Sequence, residues 1–334
     1  MIIVTGSNGF IGANLVAALR DAHPGTPILG VDHYAEDGTR YPAHAAVDHE
    51  LGLDEFIEAM QTSALPATPI AIYHLGACSD TTVTDRDHVT RVNLDFSKTV
   101  WRYCVEQSVP LVYASSAATY GDGSQGYSDE ADPKIYEPLN LYAESKHLFD
   151  LWALDQTRQG IAPPHWAGVK YFNVYGPMES HKGRMASMGF HWVNQVRDTG
   201  VTKLFKSYRD GYADGQQQRD FIYVADAVAA TMHLMRGDQP GGSPGEHPGG
   251  LYNIGTGVAR PFADLATACF TAVGREPKLE YIDMPESLRP QYQYFTQATV
   301  DKLRGAGFDT PMRNLTDGMA DYVEWRRAND GLTI

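Results

Sequence analysis

Thr5-Gly6-Ser7-Asn8-Gly9-Phe10-Ile11-Gly12 is the stretch whose reading decides the fold. It follows an apolar run, Met1-Ile2-Ile3-Val4, and opens a segment over 11 to 20 whose composition predicts a helix. Glycines three residues apart between a strand and a helix have a mechanical meaning. Gly6 permits a tight turn, Gly9 lets backbone approach a pyrophosphate, and Gly12 allows the helix to pack closely. The helix N-terminus then offers amides and the positive end of its dipole to that anion. Asp32 closes the second strand-like run, twenty residues after Gly12, where an acid commonly meets an adenosine ribose.

Outward from this turn, short β-rich runs alternate with helical stretches. Ile2 to Thr5, Ile28 to Val31, Ile70 to Leu75, Leu111 to Ser115 and Val169 to Phe172 read as strands. The alternation predicts an α/β fold, a Rossmann-type doubly wound parallel sheet, with a smaller mixed α/β lobe for substrate. A further strand-like run at 220 to 224, the Ala-rich helix 227 to 236 and a strand at Leu251 to Ile254 suggest that the first domain resumes late in the chain. The expected division is 1–174 plus about 217–258 for the cofactor, and about 175–216 plus 259–334 for the substrate. Residues 237 to 250 (GDQPGGSPGEHPGG) read as a flexible Gly/Pro loop.

Composition narrows the possible partners. The chain has 334 residues, and its 41 acidic side chains outnumber 27 basic ones, for a formal charge of −14. That balance argues against nucleic acid or an anionic membrane as partner. An anionic substrate must therefore meet locally placed Arg or Lys. The N-terminal run reads as a strand without a basic leader or cleavage site, and no stretch approaches the ~20 apolar residues that cross a bilayer. A cytoplasmic protein is expected. Cys78, Cys104 and Cys269 are widely spaced, which favours small buried residues over a disulfide framework or a metal site.

Tyr142-Ala143-Glu144-Ser145-Lys146 sets a phenol and an ammonium four residues apart, on one helix face. The cation, with an oxidised nicotinamide, would favour phenolate at Tyr142, which could then accept an alcohol proton as hydride leaves. The strand before it ends in Ser115-Ser116-Ala117-Ala118-Thr119-Tyr120-Gly121, so Ser116 can bond both a substrate oxygen and Tyr142. Asn93, on the preceding helix, can hold a water behind Lys146. Alone, Y-x-x-x-K is common on ordinary helices. Glycine turn, Asn, Ser and Tyr/Lys in this order form a constellation.

This set resembles the short-chain dehydrogenase/reductase superfamily, and Tyr171-Phe172-Asn173-Val174-Tyr175-Gly176-Pro177 is similar to its extended, nucleotide-sugar branch. Glu179-Ser180-His181-Lys182-Gly183-Arg184-Met185-Ala186-Ser187, Arg219-Asp220-Phe221-Ile222-Tyr223-Val224 and Tyr292-Gln293-Tyr294-Phe295-Thr296-Gln297-Ala298 narrow the resemblance to the ADP-L-glycero-D-manno-heptose 6-epimerases, nearly end to end. The resemblance implies inversion at C6″ of an ADP-heptose for the lipopolysaccharide inner core, through a ketone, with NADP held through turnover. It implies Tyr142 and Lys182 as the two proton acceptor/donor groups, Ser116 as positioning group and Lys146 as the tuning cation. Cofactor contacts fall on Gly6, Gly9, Phe10, Ile11, Gly12, Asp32, His33, Arg40, Leu75, Gly76, Ala77, Cys78, Ser79, Asn93, Tyr142, Lys146, Val174 and Lys182. Substrate contacts fall on Ser116, Asn173, Arg184, His191, Phe205, Arg219 and Tyr292, with Arg219 suited to pyrophosphate and Phe205 to adenine. A homo-oligomer, a pentamer by resemblance, is implied.

Plainer readings stand beside these. Phe205 and Tyr292 also fit as core aromatics, His191 as a helix histidine, Arg219 as an ion pair between lobes, and Lys182 as a loop charge. Asp32 would repel the 2′-phosphate of NADP, whereas Arg40 could pair with it or simply be solvated, so NAD stays open. The loop at 33 to 54 departs from the family pattern and offers no second basic cofactor contact; Gln291 replaces a basic residue, and 237 to 250 looks inserted. Dehydratases of this branch follow the catalytic Ser/Thr with an acidic pair, and Ala117-Ala118 lacks one. A 4-epimerase, a reductase and a non-catalytic cofactor-binding module are the remaining alternatives.

Overall fold

In the computed structural model, which describes residues 1–32, 47–235, 249–289 and 292–333, the apolar run at the N-terminus is the central strand β1 (Ile2–Thr5). Its four residues are all buried, as expected of a parallel strand covered on both faces. Side chains alternate across the pleat. Ile2 and Val4 pack with Leu15, Val16 and Leu19 of α1 (Phe10–Ala22), whereas Ile3 packs with the helices of the opposite face.

The chain continues through β2 (Ile28–Val31), β3 (His49–Leu51), α2 (Leu53–Gln61), β4 (Ala71–His74), α3 (Arg86–Val89), a π-helical turn over Thr90–Asp95, α4 (Phe96–Glu106), β5 (Leu111–Ser116), α5 (Leu141–Arg158), β6 (Trp166–Tyr171) and β7 (Asn173–Tyr175). It then forms α6 (Met188–Thr199), β8 (Thr202–Phe205), β9 (Gln218–Tyr223), α7 (Val224–His233), β10 (Gly250–Ile254), β11 (Ala259–Pro261), α8 (Phe262–Val273), β12 (Leu279–Ile282), α9 (Asp301–Gly305) and α10 (Leu315–Asn329). Seven strands pair in parallel in the order β10-β6-β5-β4-β1-β2-β3. This is the 3-2-1-4-5-6 order of dinucleotide-binding sheets, extended by β10. Strand order reverses between β1 and β4, and their C-terminal ends define the crevice where ligands of such sheets bind. The α/β, doubly wound fold read from the sequence is therefore present.

A smaller unit covers that crevice. β7 pairs in parallel with β9, and β11 pairs antiparallel to β9, while β8 and β12 form a separate parallel pair. Trp192 and Val196 of α6, Leu265 and Phe270 of α8, and Met319 and Tyr322 of α10 fill its core. The sequence reading grouped the run at 220 to 224 with the large sheet, yet β9 joins the small one; of that stretch, β10 pairs in the large sheet. Cys104 and Cys269 are buried in the two cores. Among the described residues, no helix is long and apolar enough to cross a membrane.

Candidate active site

The glycine turn is tight because backbone fills the space a side chain would need. A Cβ on Gly12 would lie 1.9 Å from the Gly6 carbonyl oxygen, and Gly6 itself has φ +71° with Gly76 backbone 2.7 Å from its would-be Cβ. The Asn8 amide donates to Asp32 at 2.6 Å, and the Gly76 amide donates to the Thr5 hydroxyl at 2.9 Å, joining the ends of β1, β2 and β4. Gly6, Gly9, Phe10, Ile11, Gly12, Asp32 and the run from Leu75 to Ser79 thus line one side of a cavity of about 920 Å³. A glycine cradle at a helix N-terminus, an acid at the end of β2 and that volume fit a dinucleotide. Gly12→Ala should push α1 off the turn, an overpacking cost of ~1–3 kcal/mol. The expected result is a lowered melting temperature and loss of co-purifying nicotinamide, read by melting and absorbance.

On the other side, β5 ends at Ser116, and α5 starts one turn before Lys146. Asn140 caps that helix by accepting from the Ala143 amide at 2.9 Å, which fixes where Tyr142 leaves the first turn. Ser116, Tyr142 and Lys146 all line the cavity. Burial pushes the Tyr142 phenol upward, and a hydrogen bond from Ser116 opposes this by favouring phenolate. Lys146 is buried, and its Nζ donates to the Ala114 carbonyl at 2.8 Å. Burial lowers its pKa to about 8, against the opposing charge of Asp150. Nearby, desolvation and Lys146 hold His74 down at about 3, so this histidine is neutral. It bridges Thr5 and Ser97, at 2.8 Å each.

Asn93 is buried on the π-helical turn. The π-helical turn carries its side chain inward, where it accepts from the Cys78 amide at 2.7 Å and donates to the Cys78 carbonyl at 3.0 Å and to Ser145 Oγ at 2.9 Å. Its amide therefore clamps the wall of the cavity to α5. No local sequence signal announces a π turn.

The segment after β7 supplies the roof. Asn173, Val174 and Lys182 line the cavity, and Lys182 Nζ sits 5.5 Å from the centroid of the Phe10 ring. Burial lowers the Lys182 pKa, and Glu179 opposes that shift. Arg184 points elsewhere than expected: it pairs with Asp80 at 2.9 Å and Thr82 at 2.5 Å across the mouth and does not line the cavity. His191 is half-buried on α6 with its ring edge-on to Phe190. His33 and Arg40 lie outside the described residues, as do Gln291 and most of the Gly/Pro loop.

Phe205, Arg219 and Tyr292 come together from three separate segments. The Arg219 guanidinium lies 5.3 Å from the Tyr292 ring and 5.4 Å from Phe262, and Phe205 meets Tyr292 edge-on at 6.2 Å. Burial lowers the Arg219 pKa, although a guanidinium stays charged. None of the three lines the larger cavity; Tyr292 borders a second one of about 520 Å³, where Arg209 faces Tyr294 and Arg289 stacks 3.7 Å above Tyr208. These arginines were missed in the sequence. The Tyr/Arg-rich run Tyr208-Arg209-Asp210-Gly211-Tyr212 was the available signal.

The comparisons with known proteins agree with this geometry. The model of the NAD dependent epimerase/dehydratase family matches residues 2–255. A curated protein of Fusobacterium nucleatum named ADP-L-glycero-D-manno-heptose-6-epimerase is 41% identical, covering 97% of both chains. One of the same name from Nitratidesulfovibrio vulgaris is 44% identical, again over 97% of each. Among solved structures, the Helicobacter pylori ADP-L-glycero-D-manno-heptose-6-epimerase superposes with a TM-score of 0.79 at 25% identity, covering 98% of this chain and 96% of that one. With a family match over most of its length and relatives above 40% identity, this chain belongs to the NAD dependent epimerase/dehydratase family, as a nucleotide-sugar epimerase.

Proposed function

We propose that the chain inverts C6″ of ADP-D-glycero-β-D-manno-heptose to the L-glycero epimer, using NADP held through the cycle. The observation that carries this reading is that two proton-exchanging groups from different elements, Tyr142 on α5 and Lys182 after β7, border one cavity with Ser116. A sugar C–H at a carbinol is too weakly acidic for direct proton abstraction. A nicotinamide held by the glycine turn and the run from Leu75 to Ser79 would supply the hydride acceptor and donor for that carbon.

The side chains manage the protons. Ser116 orients the substrate hydroxyl, and Tyr142 or Lys182 removes its proton as hydride leaves, giving a ketone. Once the ketone has turned, the other of the two groups delivers a proton to the carbonyl oxygen as hydride comes back to the opposite face. No net oxidant is consumed. The buried Lys146 charge favours phenolate at Tyr142. Arg219 would meet the pyrophosphate, with Phe205 and Tyr292 beside the base. The large sheet would hold cofactor and the smaller unit substrate, in a cytoplasmic homo-oligomer.

The test is incubation with ADP-D-glycero-β-D-manno-heptose without added reductant, following C6″ by NMR. The expected outcome is the L-glycero epimer with no net change in reduced nicotinamide. Bound cofactor and intact fold without epimer would remove the heptose assignment. Mass spectrometry of the extracted nucleotide decides between NADP and NAD.

A further inference from the structure

Lys182 sits on a segment that has little reason to hold its shape. Between Gly176 and Ser187 the backbone passes through positive φ at Met178 (67°) and Gly183 (51°), and its only helical structure is a short 3₁₀ stretch over Ser180–Met185 with non-helical angles at Gly183. Its buried apolar side chains are two small ones, Pro177 and Ala186. Such a loop needs something to over-determine it.

Glu179 supplies this from inside. Its carboxylate is 1% exposed. One oxygen accepts from the Gly176 amide at 3.2 Å and the Ser187 hydroxyl at 2.8 Å; the other accepts from the Ser187 amide at 2.5 Å. A single side chain therefore bonds both ends of the loop. Ser187 in turn caps α6 by accepting from the Phe190 amide at 3.1 Å, so the staple is continuous with that helix. Tyr322 of α10 stands against the same carboxylate. The Glu179 main-chain carbonyl also begins the turn that carries Lys182, accepting from the Lys182 amide at 3.0 Å. A neutral group could satisfy part of this pattern. A carboxylate makes charge-assisted bonds and offers a negative charge to the half-buried ammonium three residues on.

We propose that Glu179 is the positioning residue for Lys182, stapling both ends of its loop, so that proton exchange on one face of the sugar depends on Glu179 and exchange at Tyr142 does not. This rests on the reading of Lys182 as the second proton-exchanging group.

Net turnover cannot separate the two faces, because a fixed equilibrium forces any variant to slow kcat/KM equally in both directions. The half-reactions can. Purified holoenzyme is mixed rapidly with each epimer separately, and formation of reduced nicotinamide is followed by absorbance, with melting temperature measured alongside. Lys182→Met should slow oxidation of one epimer. Glu179→Gln should slow that same epimer by about 10-fold or more, within the range of general acid–base catalysis, and leave the other within about twofold. Equal slowing of both epimers, or of neither, overturns the proposal and makes Glu179 a structural residue. If Lys182→Met is itself unselective, the two-group reading fails, independently of Glu179. Should Glu179→Gln not fold, Ser187→Ala removes one staple bond together with the α6 cap and keeps the charge; a smaller slowing of the Lys182-dependent epimer supports the proposal, and an unselective effect overturns it.

Discussion

Tyr142→Phe should lower turnover by about 10²- to 10⁴-fold, the range by which a positioned acid–base group accelerates a reaction. The phenol borders the cavity, and the substitution removes one oxygen while keeping the ring that packs there. Fold and cofactor retention should be unchanged, and the loss should appear in kcat rather than in KM for the nucleotide sugar. The electrostatics make the phenol replaceable by nothing nearby. Burial disfavours phenolate, and the Ser116 hydrogen bond works the other way. Ser116 itself is held from behind: the Thr119 hydroxyl donates to the Ser116 carbonyl at 2.7 Å, and Ser116 Oγ accepts from the Ala118 amide at 3.1 Å. For the epimer whose hydroxyl proton goes to Tyr142, the base form is the phenolate, so the rate of oxidation should rise with pH up to the phenol's pKa in the complex, and this limb should vanish in the variant. The measurement is NMR turnover across pH, with melting temperature and bound nicotinamide as controls. Turnover within twofold of wild type would remove Tyr142 from the chemistry and leave Lys182 as the proton-exchanging group to test.

The fold was legible because its signals are local. Ile2 to Thr5 and Ile28 to Val31 are strands with the bounds their composition gives, and the glycine turn can be read from three residues. What stayed hidden depends on partners far away in the chain. The apolar run of β9 looks like any central strand, and its pairing with β7 and β11 is decided by which sheet edge it meets, which periodicity cannot express. The helix after it starts at Val224 rather than 227, because Val224-Ala225-Asp226 reads as a strand end until Arg313, 2.6 Å from Asp226, fixes that carboxylate in the first turn. Likewise β6 begins at Trp166, earlier than Val169, because Ala167 and Gly168 have little strand preference of their own and are extended by pairing with β5 and β10. In the site, residue types were visible but directions were not. Lys182 faces the cavity, whereas Arg184, two residues later, turns to Asp80. The kink at Gly183 lies between them.

Lys170→Met should cost ~3–5 kcal/mol of stability, the penalty for removing one partner of a buried ion pair. Lys170 and Asp150 are 1% and 0% exposed and 2.6 Å apart, joining β6 to α5. Asp150 also accepts from the Tyr113 hydroxyl at 3.0 Å and Ser115 Oγ at 2.7 Å, both on β5. These donors remain in the variant and soften the loss, which places the expectation near the lower end, about 3 kcal/mol. Lys170 further donates to Thr119 at 2.6 Å, the residue whose hydroxyl holds the Ser116 carbonyl. Stability and turnover should thus fall together, because one ammonium supports both the packing of α5 and the orientation of Ser116. Lys170→Arg keeps the charge with a different shape and should restore more stability than turnover, since a guanidinium can pair with Asp150 but cannot reproduce the compact contact to Thr119. Denaturant midpoints and NMR turnover of both variants check this. A loss below about 1 kcal/mol in Lys170→Met, the size of an exposed pair, would mean that packing alone joins β6 to α5 and that Ser116 is held by its own turn.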